Sequence, residues 1–229
     1  MQPSAPGVFG SFDPQHPAVA TDVVIFTIRE ARLVVLLVKR IRDPFQDYWG
    51  LPGGFVGIEE GLDECAKRTL KDETGVVGVY LEQLMSLGRP DRDPRGRVIS
   101  VAYYALVPYN RLTVRADSHG ETVAWYPVEN LPPLAFDHGE IVGMANLRLA
   151  AKLEYSTIAL QFMPKMFTLS QLQSVYETIL GQPLDKRNFR KRLQTLHCIE
   201  ETGEHFRAGK HRPAKLFCVK TPGTVQIIK

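Results

Sequence analysis

The apolar positions fall first into short runs bounded by turn residues and later into helical stripes. Asp22 to Arg29 predicts a strand, and Leu33 to Lys39 a second, apolar throughout and therefore central. The turn Glu30-Ala31-Arg32 makes the pair a hairpin. Val79 to Leu87, Val98 to Val107 and Thr122 to Pro127 read as further strands, with Trp125 in the core. A helix is predicted from Gly61 to Glu73, stopped by Gly75. Pro132-Pro133 breaks the chain, and a second helix runs from Gly139 to Leu153 with Asp137 as its N-cap. Tyr155 to Met166 reads as a connector. Beyond it, Leu169, Leu172, Val175, Tyr176 and Ile179 repeat at helical spacing up to Leu180. The turn Gly181-Gln182-Pro183-Leu184 follows. Asp185 then caps a helix to Leu196, whose inner face is Phe189, Leu193 and Leu196. Two short strands, Ile199 to Thr202 and Lys215 to Val219, flank Glu204 to Ala214.

This order predicts an α/β protein with a mixed sheet between helices, followed by a second, helical domain with a hairpin. Residues 1–17, rich in Pro, Gly and Ser, read as a mobile arm. The boundaries are 18–155 for the first domain and 156–229 for the second. A chain of 229 residues fits two domains.

Charge divides along the same boundary. Residues 1–150 carry 15 Lys and Arg against 19 Asp and Glu, a net −4; residues 151–229 carry 13 against 6, a net +7. A polyanion is therefore the expected partner of the second domain. Cys65, Cys198 and Cys218 are isolated, which implies neither a zinc site nor a disulfide framework and fits a reducing cytosol. The longest apolar run, Leu33 to Val38, is too short to span a bilayer, and no secretory signal is expected.

Candidate chemistry begins at Pro52-Gly53-Gly54, a turn whose glycines let backbone amides approach a phosphate. In the helix that follows, Thr69, Asp72 and Glu73 are spaced to share one face. Paired carboxylates beside a phosphate-sized turn suit magnesium. Gly54, Glu60, Arg68, Leu70, Glu73, Gly75 and Val76 fall at the spacing of the Nudix box, which this stretch resembles. Two positions depart from that pattern: Thr69 stands where the first helix Glu belongs, and Asp72 shortens the second. The resemblance implies the Nudix α/β/α sandwich and a cleft for a nucleoside diphosphate derivative. The lost carboxylate implies weak metal holding at Asp72 and Glu73, with no catalytic residue and no required cofactor, magnesium entering only with the ligand. The ligand-binding set is Arg40, Trp49, Gly53, Gly54 and Arg95. Trp49 either packs under the sheet or lines the pocket. Arg95 heads the row Arg89, Arg92, Arg95 and Arg97 as the guanidinium for a diphosphate.

In the second domain, the outer face of the helix after Asp185 carries Arg187, Asn188, Arg190, Lys191 and Gln194, the residue types that read base edges in a major groove. The hairpin tip adds Lys210, His211 and Arg212, a wing for phosphate or minor groove. Lys186 and Arg192 are expected at phosphate or in solvent. A Nudix-like domain joined to a winged helix-turn-helix resembles the NrtR family, the Nudix-related regulators of NAD metabolism. LPGGFV from Leu51, RDPRGRVISVAY from Arg92 and GKHRPA from Gly209 carry that resemblance. It implies a cytoplasmic homodimer that represses genes of NAD synthesis or salvage, binds palindromic duplex DNA and releases it on binding ADP-ribose or a related nucleotide. The alternative is an active ADP-ribose pyrophosphatase with an accessory basic domain.

Overall fold

The computed structural model describes residues 16–111, 122–207 and 213–228. Most of the N-terminal arm and the wing-tip residues Lys210, His211 and Arg212 lie outside the described residues.

The first domain is built on a seven-stranded sheet. Its strands are β1 (Ala18–Arg29), β2 (Arg32–Lys39), β3 (Trp49–Gly50), β4 (Gly53–Phe55), β5 (Tyr80–Leu87), β6 (Val98–Leu106) and β7 (Val123–Pro127). The main order is β3-β2-β1-β6-β5, with β4 on β1 and β7 on β2. Only β1 and β6 pair in parallel, so the sheet is mixed as predicted. The first strand starts four residues earlier than predicted, because residues 18–21 pair with neighbouring strands. Ala20 and Asp22 meet Phe55 and Gly53 of β4, and Ala18 meets Val98 of β6. The two-residue β3 and three-residue β4 are too short for any periodicity to reveal.

Alternation along the strands sends side chains to two faces. Val23, Ile25, Val101, Tyr103 and Ala105 pack against Ala66 and Leu70 of helix α1 (Leu62–Thr74). Val24, Phe26, Val35, Leu37, Tyr104 and Leu106 pack against Ile141, Val142, Ala145, Leu149 and Leu153 of helix α2 (His138–Tyr155). The helix α1 ends at Gly75 in the left-handed conformation, at φ 67°, as the stop signal requires.

Helices α3 (Leu169–Leu180) and α4 (Lys186–Leu196) and the hairpin of β8 (Ile199–Phe206) and β9 (Ala214–Val219) form the second domain. Thr168 caps α3 reciprocally with Gln171, and Asp185 accepts the Asn188 N–H at 2.8 Å to cap α4. The strand β8 runs four residues beyond its predicted end, carried through a register shift between Glu201 and His205 in which Gly203 takes φ 80°. The connector contains a short 3-10 helix, Ile158–Phe162, buried along its whole length.

Burial crosses the connector. Leu172, Val175, Tyr176 and Ile179 of α3, Phe189 and Leu193 of α4, and Cys198 belong to the same apolar cluster as the α2 face of the sheet. Each domain therefore covers surface that the other would expose. Among the described residues no helix is long and apolar enough to cross a membrane.

A shared core predicts shared unfolding. Leu172→Ala, at a fully buried position, should cost about 2–5 kcal/mol. Emission from Trp49 and Trp125, both in the first domain, should then fall at the same denaturant concentration as helicity, in one transition. Two resolved transitions would show the domains to be separate folding units.

Candidate ligand cavity and nucleic-acid interface

A cavity of about 320 Å³ opens where β1, the β3–β4 segment, the loop 88–97 and the start of α2 converge. Its polar wall is set by a buried network. Arg92 donates to both carboxylate oxygens of Asp137, at 2.9 and 2.7 Å, and approaches Asp22 at 3.5 Å. Ser100 Oγ donates to Asp22 at 2.5 Å. His138 Nδ1 accepts the Leu51 N–H at 2.8 Å, and its Nε2 lies 3.5 Å from Asp22 Oδ1. An Nδ1 that accepts carries no proton, so the ring is neutral with its hydrogen on Nε2. Burial pushes His138 below the ordinary histidine pKa, outweighing Asp22 and Asp137.

Arg40 and Arg95 bring positive charge to the cavity. Arg95 is held by Asp93 at 2.9 and 2.6 Å and lies 5.6 Å from the centroid of Phe136; Arg40 lies 4.8 Å from the same ring. Phe55 also lines the cavity, its ring centroid 5.8 Å from Arg95. Arg40, Arg95, Gly53 and Gly54 all line this cavity. The reason for Gly53 is different, however. A Cβ there would come within 2.6 Å of both Asp22 Oδ1 and Thr21 O, so the glycine is needed for β4 to lie on β1. A Cβ at Gly54 would meet nothing within 4 Å.

Several expectations are corrected. Trp49 does not line the cavity; its ring packs edge-to-face on Tyr126, with centroids 4.8 Å apart. Thr69, Asp72 and Glu73 do not present one working face, because Thr69 is buried and Asp72 is exposed outside the cavity wall, which leaves Glu73. Asp137 stands at the N-cap of α2 without a side-chain cap bond, its carboxylate being taken by Arg92. The structure adds Arg92, Asp22 and His138 to the cavity wall. The neighbouring arginines do not line the cavity: Arg89 pairs with Glu140 at 3.3 Å and comes within 4.0 Å of Asp137 from outside, and Arg97 donates to Gly88 O at 2.6 Å.

The donor set does not fit a Nudix magnesium cluster. Glu60 accepts from Arg68 at 2.7 and 2.9 Å, and that guanidinium holds its carboxyl down at about 2. Asp22 and Asp93 are engaged by Ser100, Arg92 and Arg95. Among the described residues no group of three His, Cys, Asp or Glu is placed to hold a metal ion.

On the second domain, Arg187, Asn188, Arg190, Lys191 and Gln194 are all exposed on one side of α4, while Phe189 and Leu193 are buried on the other. Lys186 joins that exposed surface. Arg192 does not: it donates to Leu153 O at 2.9 Å and Glu154 O at 2.7 Å, at the end of α2.

The neutral His138 makes stability depend on pH. Below the ordinary histidine value of about 6.5 the unfolded chain binds a proton that the folded site refuses, so stability is present above that pH and falls as the solution is acidified. The loss should reach up to about 1.4 kcal/mol per pH unit. Urea titrations between pH 7 and 5 check this, and His138→Gln should flatten the dependence.

Comparison with known proteins agrees with both halves of this geometry. The model of the NUDIX domain matches residues 16–144, and that of the NrtR DNA-binding winged helix domain matches residues 159–219. The ADPR responsive transcriptional repressor NtrR of Acinetobacter baylyi is 39% identical over 209 residues, covering 90% of this chain and 83% of that protein. An ADP-ribose pyrophosphatase of Methanocaldococcus jannaschii is 39% identical over 127 residues, 56% of this chain and 72% of its own length. NrtR of Shewanella oneidensis, crystallised with a 27mer DNA, superposes with a TM-score of 0.81 at 38% identity, covering 88% of this chain and 93% of that one. Its NUDIX domain, crystallised with ADP ribose, superposes at 0.53 and 38% identity, covering 60% and 94%. With a Nudix domain and a winged helix domain in the same order and with this identity over nearly its whole length, the chain belongs to the NrtR family.

Proposed function

We propose that the chain is a DNA-binding transcriptional repressor that senses ADP-ribose in its Nudix cavity and leaves its operator when the cavity fills. The outer face of α4 carries this reading. Its 11 residues include no acidic side chain, and six hydrogen-bonding or cationic side chains, Lys186 with the five named above, project from the surface opposite the buried stripe. Arg reads guanine bidentately and Asn or Gln reads adenine, so a helix of this composition suits a major groove. The net +7 of residues 151–229 supplies the salt-dependent attraction to phosphate.

The cavity suits the effector. Its volume falls in the range of small-molecule sites. Arg40 and Arg95 offer guanidinium groups for a diphosphate, and Phe136 and Phe55 offer aromatic faces. The S. oneidensis relative is described with DNA and, for its NUDIX domain, with ADP ribose; the A. baylyi relative is described as ADPR responsive. Hydrolysis finds less support. Metal-assisted attack needs several carboxylates at the cavity, and of the box only Glu73 lines it: Thr69 carries none, Asp72 lies outside and Glu60 is ion-paired with Arg68. Magnesium enters this reading only as a companion of the ligand. The targets proposed are genes of NAD synthesis or salvage, and the compartment is the cytoplasm. A two-fold homodimer on a palindromic operator places two α4 helices in successive major grooves.

Two experiments test this. On a duplex that the protein itself selects from a randomised library, ADP-ribose should weaken binding in a fluorescence-anisotropy titration. Arg187→Ala and Lys191→Ala should each weaken binding by about 1–3 kcal/mol while leaving ADP-ribose affinity unchanged. In the second, ADP-ribose incubated with the protein and magnesium should release AMP no faster than the uncatalysed control. Brisk AMP release without duplex binding at low salt would favour the pyrophosphatase reading instead.

A further inference from the structure

The end of α2 makes an unusual set of bonds. The last four carbonyls of a helix have no partner within it. Here all four are satisfied from outside the intrahelical ladder. Ser156 Oγ donates to Lys152 O at 2.6 Å, Arg192 donates to Leu153 O and Glu154 O at 2.9 and 2.7 Å, and the Ile228 N–H donates to Tyr155 O at 2.7 Å. Two of the four are thus held by a single guanidinium of α4. That guanidinium also meets the negative end of the α2 dipole, where a cation is favoured.

The opposite end of the same helix forms the cavity wall. Asp137 is clamped by Arg92, His138 accepts the Leu51 N–H, and Arg89 reaches Glu140. At 18 residues α2 spans about 27 Å, and its buried side is packed along the sheet. One rigid rod therefore touches the ligand cavity at its start and the DNA-facing helix at its end.

We propose that Arg192 is a positioning residue for DNA binding. Its contacts are to the α2 carbonyls and not to phosphate; it fixes the angle at which α4 meets the groove and delivers to α4 whatever shift the filled cavity imposes on α2. The inference rests on the reading of α4 as the DNA-contacting helix. It differs from that reading in giving one cation of the helix no part in the DNA contact.

The salt dependence separates the two roles. A lost phosphate contact lowers the slope of log affinity against log salt by about 0.9, whereas a misaimed helix weakens binding without that signature. Full-length wild type, Arg192→Gln, Arg192→Lys and Lys191→Ala would be titrated onto the duplex selected by the wild type, at several salt concentrations, with and without ADP-ribose. Calorimetric ADP-ribose affinity serves as the check of folding. Arg192→Gln should weaken duplex binding about tenfold with an unchanged slope. Its ADP-ribose effect on DNA should shrink towards none, and Arg192→Lys, still able to donate to the carbonyls, should recover part of both. Lys191→Ala should lower the slope and keep the full ADP-ribose effect. A slope reduced by about one unit in Arg192→Gln, or an undiminished ADP-ribose effect, would overturn the role given to Arg192 and leave the repressor reading standing. Absence of duplex binding by the wild type would overturn both.

Discussion

Arg92 is buried between Asp22 and Asp137, and the cavity depends on that arrangement. Removing a guanidinium and two carboxylates from water is costly, and is recovered only when nearly every lone pair and proton finds a partner. The partners come from separate parts of the chain: Asp22 from β1, Ser100 from β6, Asp137 from the residue before α2, and Arg92 from the loop 88–97. A cluster assembled this way is satisfied only when all four segments are in place. It fixes the floor against which Arg40, Arg95 and Phe136 are arranged, and His138 extends it to the Leu51 amide and so to the glycine turn. A ligand entering the cavity meets a wall whose polar groups are already committed to one another.

The Nudix box survives here as architecture. Arg68 and Glu60 are joined in a two-point ion pair that ties the helix to the preceding turn, and Gly53 is held by the crowding of Asp22 and Thr21. Thr69 is buried on α1. The parts of the motif that shape the turn and the helix persist, whereas of the helix positions Thr69, Asp72 and Glu73 only Glu73 lines the cavity. That division separates recognition of a nucleotide from its cleavage within one constellation of residues.

Local rules made the elements legible. The alternation of β1 and β2, the stop at Gly75, the cap at Asp185 and the stripe of α3 each follow from chemistry within a few residues. The exposed face of α4 was equally open to reading, since its period fixes what is opposite Phe189 and Leu193. The cavity network was not. Arg92 lies in a row of four arginines with similar neighbours, and its partners are 45 and 70 residues away in the chain. Nothing local distinguishes it from Arg95. Asp137 fits the rule for an N-cap and is diverted by an ion pair that only the tertiary fold supplies. Trp49 sits beside the glycine turn in the chain, yet its strand pairing with β2 turns the ring onto Tyr126. The continuity of the core through the connector was also hidden, because an apolar stripe does not say which surface covers it.

The apolar cluster shared by α2 and α3 bears on how such chains can be recombined. A fusion that joins this winged helix to a foreign sensor at the connector would strip Leu149 and Leu153 from beneath it and leave the Arg192 guanidinium without the two α2 carbonyls that accept from it. The transplantable unit begins upstream, with α2 carried along as the seat on which α4 rests. Shuffling at that earlier junction keeps the lever with the part it moves.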